Sequence, residues 1–156
     1  MKAAILLLTV VAVIPSWSTA GTFVIAPYCD AESAEPDVCV AQLVEEWTNR
    51  DGMIFYEAGS ALSRSFCDHP GLVLEALKSV PSDFDNWVAR MPTHTFFIMD
   101  HPQSEYGIAA TAYLEGLRSC MRKEAESLLD DEEVAAAARV LFNSLMETEI
   151  RYVDQT

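Results

Sequence analysis

Two tripeptides of the same composition are the first candidates for chemistry in this chain. Asp68-His69-Pro70 and Asp100-His101-Pro102 stand 32 residues apart. Imidazole nitrogens and carboxylate oxygens both bind zinc, so together the tripeptides would supply a two-His, two-Asp metal site. The alternative is that each starts a helix, with the aspartate as cap and the proline in the first turn. The helix-start interpretation is favoured, since such caps recur for structural reasons alone, and no metal or cofactor is predicted.

His94 and Ser60 are the next candidates, for a base and a nucleophile. The neighbours of His94 (Thr93, Thr95 and Phe96) favour a buried, hydrogen-bonded imidazole over a catalytic base. Ser60 follows Gly59, but the surrounding pattern is not a GxSxG elbow and no strand precedes it. Neither residue is predicted to be catalytic.

Acidic pairs are a third source of chemistry. Glu45/Glu46 or Glu57/Asp68 could in principle perform glycosidase-type work. The chain contains 24 acidic residues, so suggestive pairs are expected without any function. The sequence therefore favours a non-enzymatic protein. A small metal-dependent or carboxylate hydrolase remains the alternative, using His69, His94 and His101 with Asp68 or Asp100.

Residues 1–20 have the pattern of a cleaved signal peptide. Lys2 precedes an apolar run of twelve residues, Ala3 to Ile14, and Ser18-Thr19-Ala20 places small residues at the cleavage site. The run is shorter than the about 20 residues that span a bilayer. We therefore expect a secreted or periplasmic protein, cleaved after Ala20 or Ser18, without a membrane anchor.

The net charge of the chain limits the classes of partner that it is expected to bind. The formal net charge is −14, and loss of Lys2 with the signal would make it −15. Such a charge argues against nucleic acid and against anionic membrane surfaces. It favours high solubility or a basic protein partner. The leading hypothesis is a non-enzymatic inhibitor, immunity or accessory protein that binds a cationic partner through an acidic helical face.

The apolar spacing predicts an all-α fold: one domain of five or six helices at residues 36–156, after an extended arm at residues 21–35. Pro36, Pro70 and Pro81 open helices, and Pro92 is expected to close one. Asp100-His101-Pro102 is expected to start the longest helix, reaching about Leu129 and lying at the centre of the bundle. Its inner face is predicted from small residues: Ala109, Ala112, Tyr113, Gly116, Leu117 and Cys120. Asp130 with Glu133 predicts the cap of the last helix.

The segment Thr93 to Met99 is ambiguous. Its β-branched and aromatic residues suit a strand, but no partner strand is evident, so we expect a short buried helical turn. Phe96 to Met99 also raises a further alternative, an apolar-ligand carrier. That alternative requires an enclosed apolar cavity of at least about 300 Å³. Plain core packing is the more common role of such a run.

Four cysteines (Cys29, Cys39, Cys67 and Cys120) predict two disulfides in an exported chain. An antiparallel hairpin of the first two helices would place Cys39 near Cys67. This geometry favours Cys39–Cys67 with Cys29–Cys120. Cys29–Cys39 with Cys67–Cys120 is the alternative pairing.

Overall fold

Six helices and two very short strands make up the part of the chain that the structure describes. The computed structural model describes residues 28–153. The predicted signal peptide and residues 21–27 of the predicted arm lie outside this range, and both stay predictions. In chain order the elements are α1 (Pro36–Thr48), α2 (Gly52–Asp68), α3 (Pro70–Lys78), α4 (Pro81–His94), β1 (Phe97–Ile98), α5 (Glu105–Ser127), α6 (Ala135–Glu147) and β2 (Arg151–Tyr152).

The proline-based helix starts are confirmed. α1, α3 and α4 begin at Pro36, Pro70 and Pro81, because proline has a helical φ and its missing N–H is not needed in a first turn. The predicted apolar faces of α1, α4 and α6 are also buried. They consist of Val40, Leu43, Val44 and Trp47 in α1, Phe84, Trp87, Val88 and Met91 in α4, and Val134, Ala138, Leu141 and Leu145 on α6 and its preceding residue.

The central helix is α2, not α5 as predicted. α2 packs against α1, α3, α4 and α5. Its second half is buried around nearly its whole circumference, including the polar residues Ser63, Arg64 and Ser65. A helix that contacts four others has little surface left for solvent in its second half, so polar side chains are buried there together with apolar ones.

α5 begins later than predicted and buries a different face. Ser104, not Asp100, is the N-cap, and its Oγ accepts a hydrogen bond of 2.8 Å from the Gly107 N–H. Asp100 instead accepts hydrogen bonds from the His101 N–H and the Ser104 hydroxyl in the preceding turn. Of the predicted inner face only Leu117 is buried, because the larger side chains set the packing phase. The buried residues are Gly107, Ala110, Leu114, Leu117, Met121 and Ala125.

The expectation for Thr93–Met99 was wrong in two ways. α4 continues through Pro92 to His94 instead of ending at Pro92. The segment then becomes strand β1, not a helical turn, and pairs in parallel with β2, Phe97 opposite Arg151. The partner strand was not evident because it has only two residues and lies more than 50 positions along the chain.

The predicted cap of α6 at Asp130 is wrong. α6 starts at Ala135, and its N-cap is Val134, which makes no side-chain cap hydrogen bond. The Asp131 carboxylate, not that of Asp130, accepts hydrogen bonds from the Glu133 and Val134 N–H groups, at 2.8 and 3.2 Å, in the turn that precedes the helix.

The two disulfides are Cys29–Cys39 and Cys67–Cys120, so the favoured pairing was wrong and its alternative is the observed one. The Cys29 N–H donates to Ser65 Oγ at 2.9 Å, which holds the arm against α2 and beside Cys39 of α1. Cys67 lies at the end of α2 that faces α5. The chain is thus an all-α domain with two disulfides, which indicate folding in an oxidising compartment. Within residues 28–153, no helix is long and apolar enough to cross a membrane.

The observed pairing predicts unequal contributions to stability. Cys67–Cys120 closes a loop of 53 residues and Cys29–Cys39 one of 10. Because a longer loop loses more entropy on closure, C67A/C120A should cost about 4 kcal/mol of unfolding free energy and C29A/C39A about 3 kcal/mol. Urea unfolding of the two double variants measures this difference. A larger loss in C29A/C39A, or a Cys39–Cys67 peptide in a digest of the oxidised protein, would contradict the assignment.

Candidate functional site

A cleft lies between α2 and α5 in the described part of the chain. Its volume is about 730 Å³, and it opens to solvent along one side. Met53, Tyr56, Glu57, Ser60 and Arg64 form its first wall and follow one another at helical spacing along α2. The opposite face of α2, with Ala58, Leu62 and Phe66, enters the core. We call this hollow the α2–α5 cleft.

The second wall comes from the first turns of α5. Tyr106, Ala110, Tyr113 and Leu114 line it, again at helical spacing. Ala110 and Leu114 are buried and form the deep part of this wall, whereas the two tyrosines are partly exposed at the rim. The late start of α5 matters here, because the cap at Ser104 brings Tyr106 into the first turn beside the cleft.

The remaining sides come from the end of α4 and from the two strands. Residues 92–95 provide the base, and Phe97, Ile98 and Met99 continue it along β1. Arg151 of β2 lines the cleft beside them, because the strand pairing places it opposite Phe97. The segment whose structure was hardest to predict therefore forms much of the site.

The Cys67–Cys120 disulfide lies beyond one end of the cleft. The residues that line the cleft run from Met53 to Arg64 on α2 and from Tyr106 to Leu114 on α5, and the disulfide lies further along both helices, with Cα atoms 5.9 Å apart. From the cleft toward the disulfide the two helices therefore run in the same chain direction. The covalent bond joins the two walls beyond this end of the cleft.

Exposed apolar side chains concentrate at this cleft. Among the described residues, five of the eleven large apolar side chains that are exposed line it. Met53 and Met99 are 70% and 76% exposed. Apolar surface gathered in a concave site is a feature of binding sites, whereas scattered exposed apolar residues are common on any protein. The other three exposed apolar side chains that line the cleft are Tyr56, Tyr106 and Tyr113.

His94 forms the rigid base of the cleft. Its ring packs so closely on α2 that a Cβ at position 59 would lie 2.6 Å from its Cγ, so only glycine fits there. Trp47 and Phe55 contact the ring edge-on, with centroids 5.2 and 5.5 Å away. This agrees with the predicted buried, hydrogen-bonded side chain. His94 is 6% exposed.

A chain of hydrogen bonds fixes the orientation of the imidazole. Nε2 donates to the Trp87 carbonyl at 3.1 Å, so Nδ1 of the neutral ring accepts from the Thr95 hydroxyl at 2.7 Å. Thr95 Oγ1 in turn lies 2.8 Å from Ser63 Oγ. Both ring nitrogens are thus engaged within the protein, and His94 is not available as a base for Ser60.

The environment of His94 also keeps it neutral. Burial lowers the pKa of His94 from 6.5 to about 4, and the positive charge of Arg50 acts in the same direction. The hydrogen bond to the Trp87 carbonyl opposes this shift but does not reverse it. At neutral pH the base of the cleft is therefore uncharged.

The Asp-His-Pro segments do not build a site. His69, not Asp68, caps the start of α3 and follows the last residue of α2, and its Nε2 lies 2.6 Å from the Asp30 carbonyl oxygen, so it holds the arm. His101 is exposed, and its Nδ1 accepts from the Gln103 N–H. In the described part of the chain, no group of three or more His, Cys, Asp or Glu side chains is placed to hold a metal ion. The metal-dependent hydrolase receives no support from this geometry.

The acidic pairs do not form a glycosidase site either. Glu57 lines the cleft, but Asp68 lies eleven residues further along α2, about 16 Å at 1.5 Å per residue. Paired glycosidase carboxylates lie about 5–9.5 Å apart. Glu45 and Glu46 are exposed on α1, outside the cleft lining.

Sequence reasoning missed most of the cleft. It identified Phe97, Ile98 and Met99 as a possible ligand surface, and it considered Ser60, His94 and Glu57 only as catalytic groups. The available signal was the helical spacing of Met53 and Tyr56, since it places two exposed apolar side chains on α2 outside its core face. Arg151 could not be found this way, because only the strand pairing brings it to the site.

Comparisons with protein families, with curated proteins and with solved structures found no match to this chain. The functional interpretation therefore rests on the geometry of the site.

The pKa of His94 predicts a stability change in mild acid. Between pH 6.5 and 4 the unfolded chain takes up a proton at this histidine and the folded protein does not. A stabilisation of about 3 kcal/mol, complete above pH 6.5, is therefore lost as the pH falls to 4. His94→Gln should reduce the difference in unfolding free energy between pH 7 and pH 4.5 by about 2–3 kcal/mol, measured by urea unfolding. His101→Gln, at an exposed position, is the control and should retain the wild-type difference. An equal pH dependence in wild type and His94→Gln would contradict the assignment.

Proposed function

We propose that this chain is an exported, non-enzymatic binding protein that holds the apolar body of a small ligand in the α2–α5 cleft. The observation that carries the proposal is the cleft itself, about 730 Å³ with a largely apolar lining. Small-molecule sites are typically clefts of about 300–1,000 Å³ lined by apolar and aromatic side chains. The cleft exceeds the expected volume of about 300 Å³, but it is open on one side and is not the enclosed cavity expected from the sequence, so a bound molecule would keep one edge in water.

The rim and the base of the cleft support binding in different ways. Met53 and Met99 are flexible and polarisable, so they can adapt to ligands of different shape. Tyr56, Tyr106 and Tyr113 offer apolar ring faces together with a hydroxyl that tolerates water. The base is rigid, because His94 is packed on Gly59 and hydrogen-bonded on both ring nitrogens. A rigid base with an adaptable rim suits a binding protein that accepts a class of apolar molecules.

The engagement of His94 also favours binding over catalysis. Ser60 is the one hydroxyl nucleophile considered from the sequence that lines the cleft, and the nearby imidazole is committed to Thr95 and Trp87. Nucleophilic catalysis by serine needs a base that accepts the hydroxyl proton. A cleft built in this way holds a molecule without reacting with it.

Export is part of the proposal and rests on two features. Residues 1–20 have the sequence pattern of a signal peptide, and the cysteines pair in two disulfides. The basic protein partner inferred from the net charge of −14 stays a prediction of its own. A small ligand in the cleft and a protein on the acidic surface would not exclude each other.

A bulky residue in the wall of the cleft should block the ligand. Ser60→Trp places an indole in the cleft, and the fluorescent apolar probe N-phenyl-1-naphthylamine should then bind at least about tenfold more weakly than to wild type, measured by fluorescence titration. Ser119→Trp is the matched control, because Ser119 is exposed on α5 outside the cleft lining. Circular dichroism and thermal unfolding of both variants check that each is folded. Absence of probe binding to wild type, or equal binding to both variants, would contradict the proposal.

A further inference from the structure

The charge of the α2–α5 cleft is opposite to that of the whole chain. The chain has 24 acidic and ten basic residues, yet two arginines, Arg64 and Arg151, line the cleft with a single acid, Glu57. Glu57 is exposed, whereas Arg64 is only 8% exposed. An apolar cleft with two guanidinium groups differs chemically from the acidic surface around it.

An aromatic contact fixes the position of the Arg64 guanidinium. Its guanidinium lies over the Tyr28 ring, 3.8 Å from the ring centroid. Of the cleft residues on α2 it is the closest in sequence to Cys67, so it lies toward the end of the cleft nearest the disulfide. Arg64 thus contributes a buried cationic side chain to the α2 wall of the cleft.

Arg151 lines the cleft from β2, opposite Phe97 of β1. Its backbone N–H donates to the Phe96 carbonyl at 2.8 Å, so the strand holds its main chain while the side chain is exposed. It also borders a smaller polar hollow of about 230 Å³ that Glu147 and Glu149 help to line. Among the described residues, no carboxylate lies within ion-pair distance of Arg151.

From this arrangement we infer that the ligand is an amphipathic anion: an apolar or aromatic body in the cleft, with one anionic group bound by the Arg151 guanidinium. This inference rests on the proposed binding function and names its ligand class. Arg151 suits the role because a guanidinium binds carboxylate and sulfonate oxygens through two parallel N–H donors. The net charge of −14 repels anions at long range, but physiological salt screens that repulsion beyond about 8 Å.

Two probes that share one apolar body separate this inference from the proposed function. N-phenyl-1-naphthylamine is uncharged, and 8-anilino-1-naphthalenesulfonate has the same rings with one sulfonate added. Titration of each at about 0.15 M salt, where the Debye length is about 8 Å, gives two Kd values. We expect the sulfonate probe to bind about tenfold more tightly, because a charge-assisted hydrogen-bonded pair is added to the same apolar contacts.

Variants of Arg151 then test the assigned residue. Arg151→Gln should lower the ratio of the neutral-probe Kd to the sulfonate-probe Kd to about one. Arg151→Lys should restore part of the preference for the sulfonate probe. Arg139→Gln is the control, because it removes the same charge from an exposed position on α6 outside the cleft lining. It should keep the wild-type ratio. Near-ultraviolet circular dichroism confirms native packing, since the sulfonate probe also binds partly unfolded proteins.

The outcomes distinguish the proposed binding function from the inferred anionic ligand class. If neither probe binds, the proposed binding function is wrong. If the neutral probe binds and the sulfonate adds no affinity, the binding function stands and the inferred anionic class is overturned. The same conclusion follows if Arg151→Gln and Arg139→Gln change the ratio equally. Displacement of the neutral probe by decanoate but not by decanol would support the inference with a second pair of matched molecules.

Discussion

The contact between the His94 ring and Gly59 is the constraint on which the site depends. At this contact the end of α4 comes so close to the middle of α2 that a single Cβ would not fit. The imidazole then takes its orientation from Thr95 and Trp87, and the Trp87 indole N–H donates to the Gly59 carbonyl at 3.2 Å. This packing fixes where α4 ends and therefore where the following strand lies along the cleft.

A second constraint acts at the other end of the same helix. The Cys67–Cys120 disulfide holds α5 against the end of α2, while residues before it on both helices form the walls of the cleft. The cleft is therefore bounded by a packed ring at its base and has a covalent bond beyond one end. The methionines at its rim are the most exposed large apolar side chains in the described residues. The rigid base and the adaptable methionines thus lie in different parts of one site.

The sequence predicted the helical framework well and the site poorly, for physical reasons. Helix starts at Pro36 and Pro81 depend on local backbone chemistry, and the buried stripe of α4 depends on one helical period, so both could be derived. The cleft depends on contacts between segments far apart in the chain. Neither the pairing of Arg151 with Phe97 nor the choice among three disulfide pairings has a local signal. The face of α5 was misassigned because small residues were weighted above Leu114 and Met121, which bury more apolar surface.

The central claim, that an apolar ligand lies in the α2–α5 cleft, is tested most directly by methionine methyl NMR. The described part of the chain offers Met53 and Met99 at the cleft and Met146, exposed on α6, as an internal reference. With ¹³C-methyl-labelled methionine, addition of N-phenyl-1-naphthylamine should shift the Met53 and Met99 signals and leave Met146 unchanged. If fluorescence reports binding while Met53 and Met99 do not shift, the ligand lies elsewhere and the account is wrong.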